Sequence, residues 1–252
     1  MWAREFAVVV VTEVQGKSAM YRVTLCAAAL LVATAVQSAA AMDRATANLR
    51  HLCEFGRGDE AVAACGRMVA LFPNDAFLYA FRGRAYYDKD DYDHAIADAN
   101  EAIRLNAKEG APFFYVLRGL AYFGKGEYDR AISDYVQAIQ LRPKLAPAYD
   151  VLSEAYNRKG DRDRDRAIAA ANETIRLDPT FALAYCHRGE AYEAKNDPDH
   201  AIADFDQALK LNPSLVDARR DRERVQALLA KRSRAQTNVR VMADETRCRA
   251  RF

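Results

Sequence analysis

The chain has no phosphate-cradling glycine loop, no nucleophile elbow and no zinc-binding HExxH pair in its 252 residues. The nucleotide, acyl-transfer and zinc-hydrolase chemistries that depend on those patterns therefore lack their residues. Histidine is scarce, and His51, His94, His187 and His200 are scattered. His94 and His200 hold the same place in two related segments and read as solvated helix-start residues. His187 adjoins Cys186, but neighbours in a helix point in different directions and no further ligands gather around them. In the run DRDRDR, the carboxylates Asp161, Asp163 and Asp165 alternate with arginines that would repel a cation. A charged, solvent-exposed loop is expected there rather than a metal site. The expectation is a protein without catalytic residues, cofactor or metal.

What the chain does have is repetition. RGRAY at 82–86, RGLAY at 118–122, LSEAY at 152–156 and RGEAY at 188–192 are variants of one motif. Each precedes a second one: AIADANEAIRLN, AISDYVQAIQLRP, AIAAANETIRLDP and AIADFDQALKLNP. Gly83, Gly119, Ser153 and Gly189 are spaced by 36, 34 and 36 residues, and Ala61, Ala95, Ala131, Ala167 and Ala201 by 34, 36, 36 and 34. Two insertions of two residues, Gly110–Ala111 and one within 161–166, reconcile both series with a period of 34. Two amphipathic segments per period mark a helical solenoid.

The pattern resembles the tetratricopeptide repeat family, with its aromatic, glycine, tyrosine, alanine and proline at fixed offsets. Unit two supplies Tyr79, Gly83, Tyr86, Tyr92, Ala95 and Ala102. Unit three supplies Tyr115, Gly119, Tyr122, Tyr128, Ala131, Tyr135, Ala138 and Pro143. Unit five supplies Tyr185, Gly189, Tyr192, Ala201, Phe205, Ala208 and Pro213. Unit four keeps Tyr149, Leu152, Tyr156, Ala167 and Pro179 but has Ser153 for the glycine, and a degenerate first unit carries Leu49, Leu52, Ala61, Cys65, Met68 and Pro73. The resemblance implies an all-α, right-handed α-solenoid of five helix-turn-helix units, at 42–75, 76–109, 112–145, 146–181 and 182–215, followed by a capping helix at 216–232.

The periodicity gives the same picture. Tyr115, Arg118, Gly119 and Tyr122 fall on one face of a helix, as do Ala131, Tyr135, Ala138 and Leu141. Small residues sit where paired helices approach most closely. Prolines 143, 179 and 213 end the second helices, and Asn196-Asp197-Pro198 reads as a cap with proline at the first helical position. A single hairpin cannot bury its apolar face, whereas stacked neighbours can.

Both ends lie outside the repeats. Arg22, the 14-residue apolar run 23–36 and Ala39-Ala40-Ala41 match a secretory signal peptide. Export to the periplasm or beyond is expected, the alternative being a cytoplasmic protein with an alanine-rich leading helix. Residues 1–41 form this leader, in which Met20 is a more natural start than Met1. Removing it leaves Cys53, Cys65, Cys186 and Cys248. Cys53 and Cys65 are the one close pair; a disulfide and two small buried side chains are both open readings. At the other end, Leu215, Ala218, Val225, Leu228 and Leu229 offer a stripe to cover the last unit. Residues 216–252 hold 11 Lys and Arg against 5 Asp and Glu. Residues 233–252 are expected to be a disordered basic tail, open to membrane-surface contact. With no aromatic before Phe252, the tail has little on which to stack bases, so nucleic acid is disfavoured.

Function is then expected on the surface. In proteins similar to this one, offsets 2, 5, 9 and 12 of each first helix line a concave groove that holds a partner peptide. The positions of interest here are Arg50, Arg84 and Tyr87, then Phe113, Val116, Leu120 and Phe123, then Asp150, Glu154 and Asn157, then Cys186, Glu190 and Glu193, so the groove runs from basic through apolar to acidic. The first helix of unit three, FFYVLRGLAYFG, is apolar on nearly every side, as either an exposed anchor site or rings buried by tight curvature. The expected partner is another protein, presenting an extended segment or amphipathic helix with an apolar centre. The rival is a self-associating spacer whose apolar patch is an oligomer interface. The resemblance also implies a test for the carboxylate clamp of some tetratricopeptide repeat proteins, which needs Lys and Asn at offsets 5 and 9 of one first helix. The chain has Thr46 and Arg50, Ala80 and Arg84, or Val116 and Leu120 there, which disfavours an acidic chaperone C-terminus.

Overall fold

The computed structural model describes residues 43–106 and 110–249, with side chains as far as Thr237. The leader 1–41 and its signal-peptide reading lie outside the described residues. Eleven α-helices and no strand occur among the described residues. They are α1 (43–55), α2 (Gly58–Leu71), α3 (Ala76–Tyr87), α4 (Tyr92–Leu105), α5 (Ala111–Gly124), α6 (Tyr128–Leu141), α7 (Ala146–Lys159), α8 (Arg164–Leu177), α9 (Ala182–Ala194), α10 (Pro198–Leu211) and α11 (Val216–Arg249). A short 3₁₀ turn, Asp161–Asp163, accommodates the charged insertion. Each helix from α2 packs on the next, and the first helices α3, α5, α7, α9 and α11 also touch one another in succession. They form the inner wall of an α-solenoid.

The hairpin turns repeat one chemistry. Asp90, Gly126, Gly160 and Asn196 occupy the same place in four units, and each has positive φ (60°, 76°, 125° and 61°). Glycine, aspartate and asparagine tolerate that region best. Directly after it, the amides of Asp91, Glu127 and Asp197 donate to the carbonyls of Tyr86, Tyr122 and Tyr192 at 2.9 Å, satisfying carbonyls that the helix end would leave open. Asp91 and Asp197 then cap α4 and α10, accepting from the amides of His94 and His200. The two histidines are exposed, as expected. They also pair with these aspartates and stack on Tyr86 and Tyr192.

The close approach within each hairpin explains its small residues. A Cβ on Gly119 would stand 2.5 Å from Tyr135 Cε1, and one on Gly189 would stand 2.8 Å from Phe205 Cε1. Tyr135 and Phe205 are fully buried and cannot retreat. In unit four the ring is replaced by Ala171, which makes room for Ser153; its hydroxyl donates to the Ala167 carbonyl at 2.8 Å. A second exchange accompanies the first. Arg82–Asp98, Arg118–Asp134 and Arg188–Asp204 are two-pronged pairs, each with contacts of 2.8 and 2.7 Å, joining the two helices of a unit. Each guanidinium also lies over a tyrosine ring, that of Tyr79, Tyr115 or Tyr185. Unit four has Leu152 and Ala170 at those places, both buried in one apolar cluster. Losing one partner would bury an unpaired charge, so both change together. Arg118, placed on an apolar packing stripe from periodicity, is therefore half of an ion pair.

Joints between units are equally regular. The hydroxyls of Tyr79, Tyr149 and Tyr185 donate to the carbonyls of Pro73, Pro143 and Pro179. Lys89, Lys125, Lys159 and Lys195 reach back to Asp59, Asp93, Asp129 and Asp165 of the preceding unit. At the last joint Arg219 donates to the Pro213 carbonyl at 2.7 Å, so α11 stands where the first helix of a sixth unit would stand. Ala218 and Val225 bury against unit five, while Leu228, expected in the same stripe, remains 46% exposed. Beyond Arg232 the structure departs from the disordered tail expected at 233–252: α11 continues to Arg249. No glycine or proline interrupts 216–249, and its Ala, Arg, Lys, Gln and Glu residues favour the helix.

At the other end, Cys53 of α1 and Cys65 of α2 form a disulfide with Cα atoms 4.6 Å apart. This decides between the two open readings. No helix among the described residues is long and apolar enough to cross a membrane.

Candidate functional site

The inner wall carries the groove positions. At its basic end Arg50 pairs with Glu54 at 3.0 Å and Asp75 at 3.4 Å. Arg84 donates to the Glu54 carbonyl at 2.7 Å. Arg84 lines a cleft of about 570 Å³ with Phe55, Arg57 and Asp88. Tyr87 is half-buried against Tyr92, and its hydroxyl is harder to ionise than usual because of burial and the nearby Glu154 carboxylate. The two arginines expected to confront a ligand are thus already engaged by carboxylate or carbonyl oxygens.

The apolar middle divides. Leu120 and Phe123 are half-buried and pack on the cluster around Tyr122, Tyr135 and Leu152, which supports burial by curvature for those two. Val116 is half-buried as well. Phe113 is 49% exposed and lies at the far end of α5, with the Arg142 guanidinium 4.9 Å from its ring centre. The structure does not bring it to Phe123, since ten residues of helix separate them by about 15 Å. Beneath the same wall the Tyr135 hydroxyl is buried without a hydrogen-bond partner. Burial, together with Tyr87 and Glu154, pushes its ionisation well above the ordinary range.

At the acidic end, helices α7, α9 and α11 build a polar centre. Asp150, expected to line the open groove, is instead buried, with its carboxylate 3.0 Å from His187 Nδ1. The acceptor carboxylate places a donor proton on Nδ1 and turns Nε2 towards Glu154, 4.0 Å away. Burial opposes charging of His187, but the Asp150 hydrogen bond and the Asp150, Glu190 and Glu154 charges outweigh it and raise the imidazole above its ordinary value. Asn157 donates through Nδ2 to the His187 carbonyl at 2.7 Å, which fixes the amide orientation and leaves buried Oδ1 without a donor. Glu190 is held more protonated than an ordinary glutamate, first by burial and then by Asp221 and Glu154 against the opposing His187 and Arg158. The Cys186 thiol beside it is pushed up to about 12 by burial and then by the Glu190, Asp221, Asp217 and Asp150 carboxylates. A cleft of about 500 Å³ opens on this centre, lined by Asn157, Arg158, Glu190, Glu193, Arg220 and Arg224 among others.

His187 and Asp221 are functional candidates that sequence reasoning passed over, whereas Asn157 stands at an expected groove offset. A signal was present in the register. The sixth residue of each unit is Phe81, Leu117 and Val151 in units two to four, then His187 in unit five, then Asp221 at the same place in α11. Two polar residues break an apolar series at adjacent joints. Among the described residues no group of histidine, cysteine and carboxylate could hold a metal ion.

Helical hairpins stacked around a polar inner wall define a repeat solenoid with a candidate interaction surface. The tetratricopeptide repeat model matches residues 112–145 and 182–215, and a second tetratricopeptide repeat model matches 78–109. Among solved structures, MamA is 30% identical with a TM-score of 0.54, over 62% of this chain and 88% of its own. YrrB, solved as a TPR protein with an unusual peptide-binding site, is 19% identical at a TM-score of 0.53, over 66% of this chain and 83% of its own. TTC0263, a thermophilic TPR protein in Thermus thermophilus, is 20% identical at 0.56, over 73% and 96%. The latter two likenesses concern the fold alone. A comparison with curated proteins gives no match. The chain belongs to the tetratricopeptide repeat family.

Proposed function

We propose that the protein is a non-catalytic scaffold whose inner wall binds a segment of another protein, either an extended peptide or an amphipathic helix. One observation carries this reading: the cleft between α7, α9 and α11 keeps the buried Asn157 Oδ1 free of donors beside a Glu190 carboxylate with no cation within 4.0 Å among the described residues. Buried polar atoms are normally satisfied, and a partner's donors would satisfy these. The half-buried Val116, Leu120 and Phe123 lie next along the wall and offer apolar area to the same segment. The general role of the family as a protein-interaction fold agrees. Export of the chain to the cell envelope belongs to the same proposal. The Cys53–Cys65 disulfide, a bond that persists in oxidising compartments, supports it together with the leader pattern at 20–41.

The test is selection of a random 12-residue phage library on the immobilised chain from residue 42. Fluorescence anisotropy of the enriched peptides would follow, on wild type and on Glu154→Lys. Enriched peptides that bind wild type and lose at least tenfold in the variant support the reading. No enrichment, or equal binding by the variant, overturns it. For export, the processed N-terminus is read by mass spectrometry from the envelope fraction; an intact leader on cytoplasmic protein refutes it.

A further inference from the structure

We infer that the cleft between α7, α9 and α11 is a pocket for one cationic side chain, the guanidinium of an arginine or the ammonium of a lysine, gripped by Glu190, Glu154 and Asn157 Oδ1. The inference deepens the scaffold reading and rests on it, since the side chain would belong to the bound segment.

The open hydrogen-bonding positions nearest the centre are mostly acceptors. Asn157 Oδ1 is buried and lacks a donor. Glu190 meets the Cys186 thiol at 3.9 Å, a weak donor at long range. The nearest cations to Glu154 stand off at 3.8 Å (Arg158) and 4.0 Å (His187). Meanwhile three of the four arginines lining the cleft, Arg164, Arg220 and Arg224, are already engaged. Arg224 binds Glu193 at 2.9 and 2.6 Å and Asp221 at 2.7 Å. Arg220 binds Asp217 at 2.8 Å. Arg164 donates to the Asn157 carbonyl and to Asp161, leaving its Nε as the one buried donor without a partner in the cleft wall among the described residues, while the exposed Arg158 comes no closer than 3.8 Å to Glu154. Glu190 and Glu154 thus face one loosely held cation, Arg158, around an acceptor-rich opening, and an incoming guanidinium would supply the missing donors. The ionisable neighbours are compatible with it: burial and then nearby carboxylates raise Glu190 and Cys186, and in His187 burial is outweighed by the Asp150, Glu190 and Glu154 carboxylates, which raise it. The volume of about 500 Å³ lies in the range of side-chain and ligand pockets.

The probe is Nα-acetyl-arginine amide, with the lysine analogue alongside and Nα-acetyl-citrulline amide as the neutral isostere. Each is titrated into the chain from residue 42, and the His187 imidazole resonances are followed by NMR. Arginine or lysine amide should shift them saturably in the millimolar range. Citrulline should bind at least tenfold more weakly. Glu190→Gln should abolish the cation preference while the rest of the spectrum stays folded, and Glu154→Gln should weaken it. Equal shifts by citrulline, unchanged affinity in Glu190→Gln, or no shift by either cation overturns the pocket. Peptides that bind the wall without any basic position would refute the pocket alone. Arginine amide that binds where no peptide does would refute the scaffold reading alone.

Discussion

Gly119 and Tyr135 make a quantitative test, because unit four contains the alternative solution to the same packing problem. In unit three a Cβ on residue 119 would stand 2.5, 2.8 and 3.1 Å from Cε1, Cδ1 and Cζ of a fully buried tyrosine. Gly119→Ser therefore overpacks the crossing and should destabilise by about 1–3 kcal/mol, against a helix-propensity gain of under about 1 kcal/mol. Tyr135→Ala alone empties the crossing and should cost about 3–5 kcal/mol. Together the two changes reproduce the Ser153–Ala171 pair, in which the serine hydroxyl reaches the Ala167 carbonyl at 2.8 Å. The double variant should recover part of that loss, with a coupling of about 0.5–3 kcal/mol. Urea titrations of the four proteins, followed by circular dichroism, give the cycle. Strict additivity, or a neutral Gly119→Ser, would refute the assigned contact and with it the correspondence between units three and four.

Four further outcomes are expected. Replacing Cys53 and Cys65 by alanine, or adding reductant, should destabilise the first unit by about 2–3 kcal/mol on loop-entropy grounds, seen as a lower melting temperature. Leu152→Arg should destabilise by about 3 kcal/mol or more by burying a lone charge, and Ala170→Asp added to it should restore much of the loss; thermal melts decide. Glu190 has a raised folded pKa, so its ionisation opposes folding above the ordinary carboxylate range. Glu190→Gln should then raise the melting temperature at pH 7 and lose that advantage towards pH 4. Cys186, pushed up to about 12, should resist Ellman's reagent at pH 8 in the folded protein and react on denaturation.

The fold was legible because solenoid structure is written in a period, and the alanines and glycines at contact positions mark helix crossings directly. The site was legible only in part. Glu154 and Glu190 could be placed on the inner wall from their offsets, but whether a residue there faces ligand or neighbour depends on curvature between units, which no single unit encodes. Asp150 shows this: its offset matches a groove position, yet the next helix brings His187 over it. Arg118 shows the converse. An arginine on a packing stripe is out of place until Asp134, sixteen residues on, is found to return under it. The extension of α11 to Arg249 was masked by composition, since a basic, polar segment reads as disordered although nothing in it breaks a helix.

The polar centre at the acidic end is assembled across a joint: Asp150, Glu154 and Asn157 stand on one unit, His187 and Glu190 on the next, and Asp221 on the helix after that. No unit owns it. Reordering the units while keeping every internal contact and every proline hinge could preserve the solenoid and still erase the site, because Asp150 would then face a phenylalanine or leucine at the sixth position. What this chain specifies beyond its fold is therefore a sequence of neighbours, so new binding behaviour could arise by shuffling existing units without any point change.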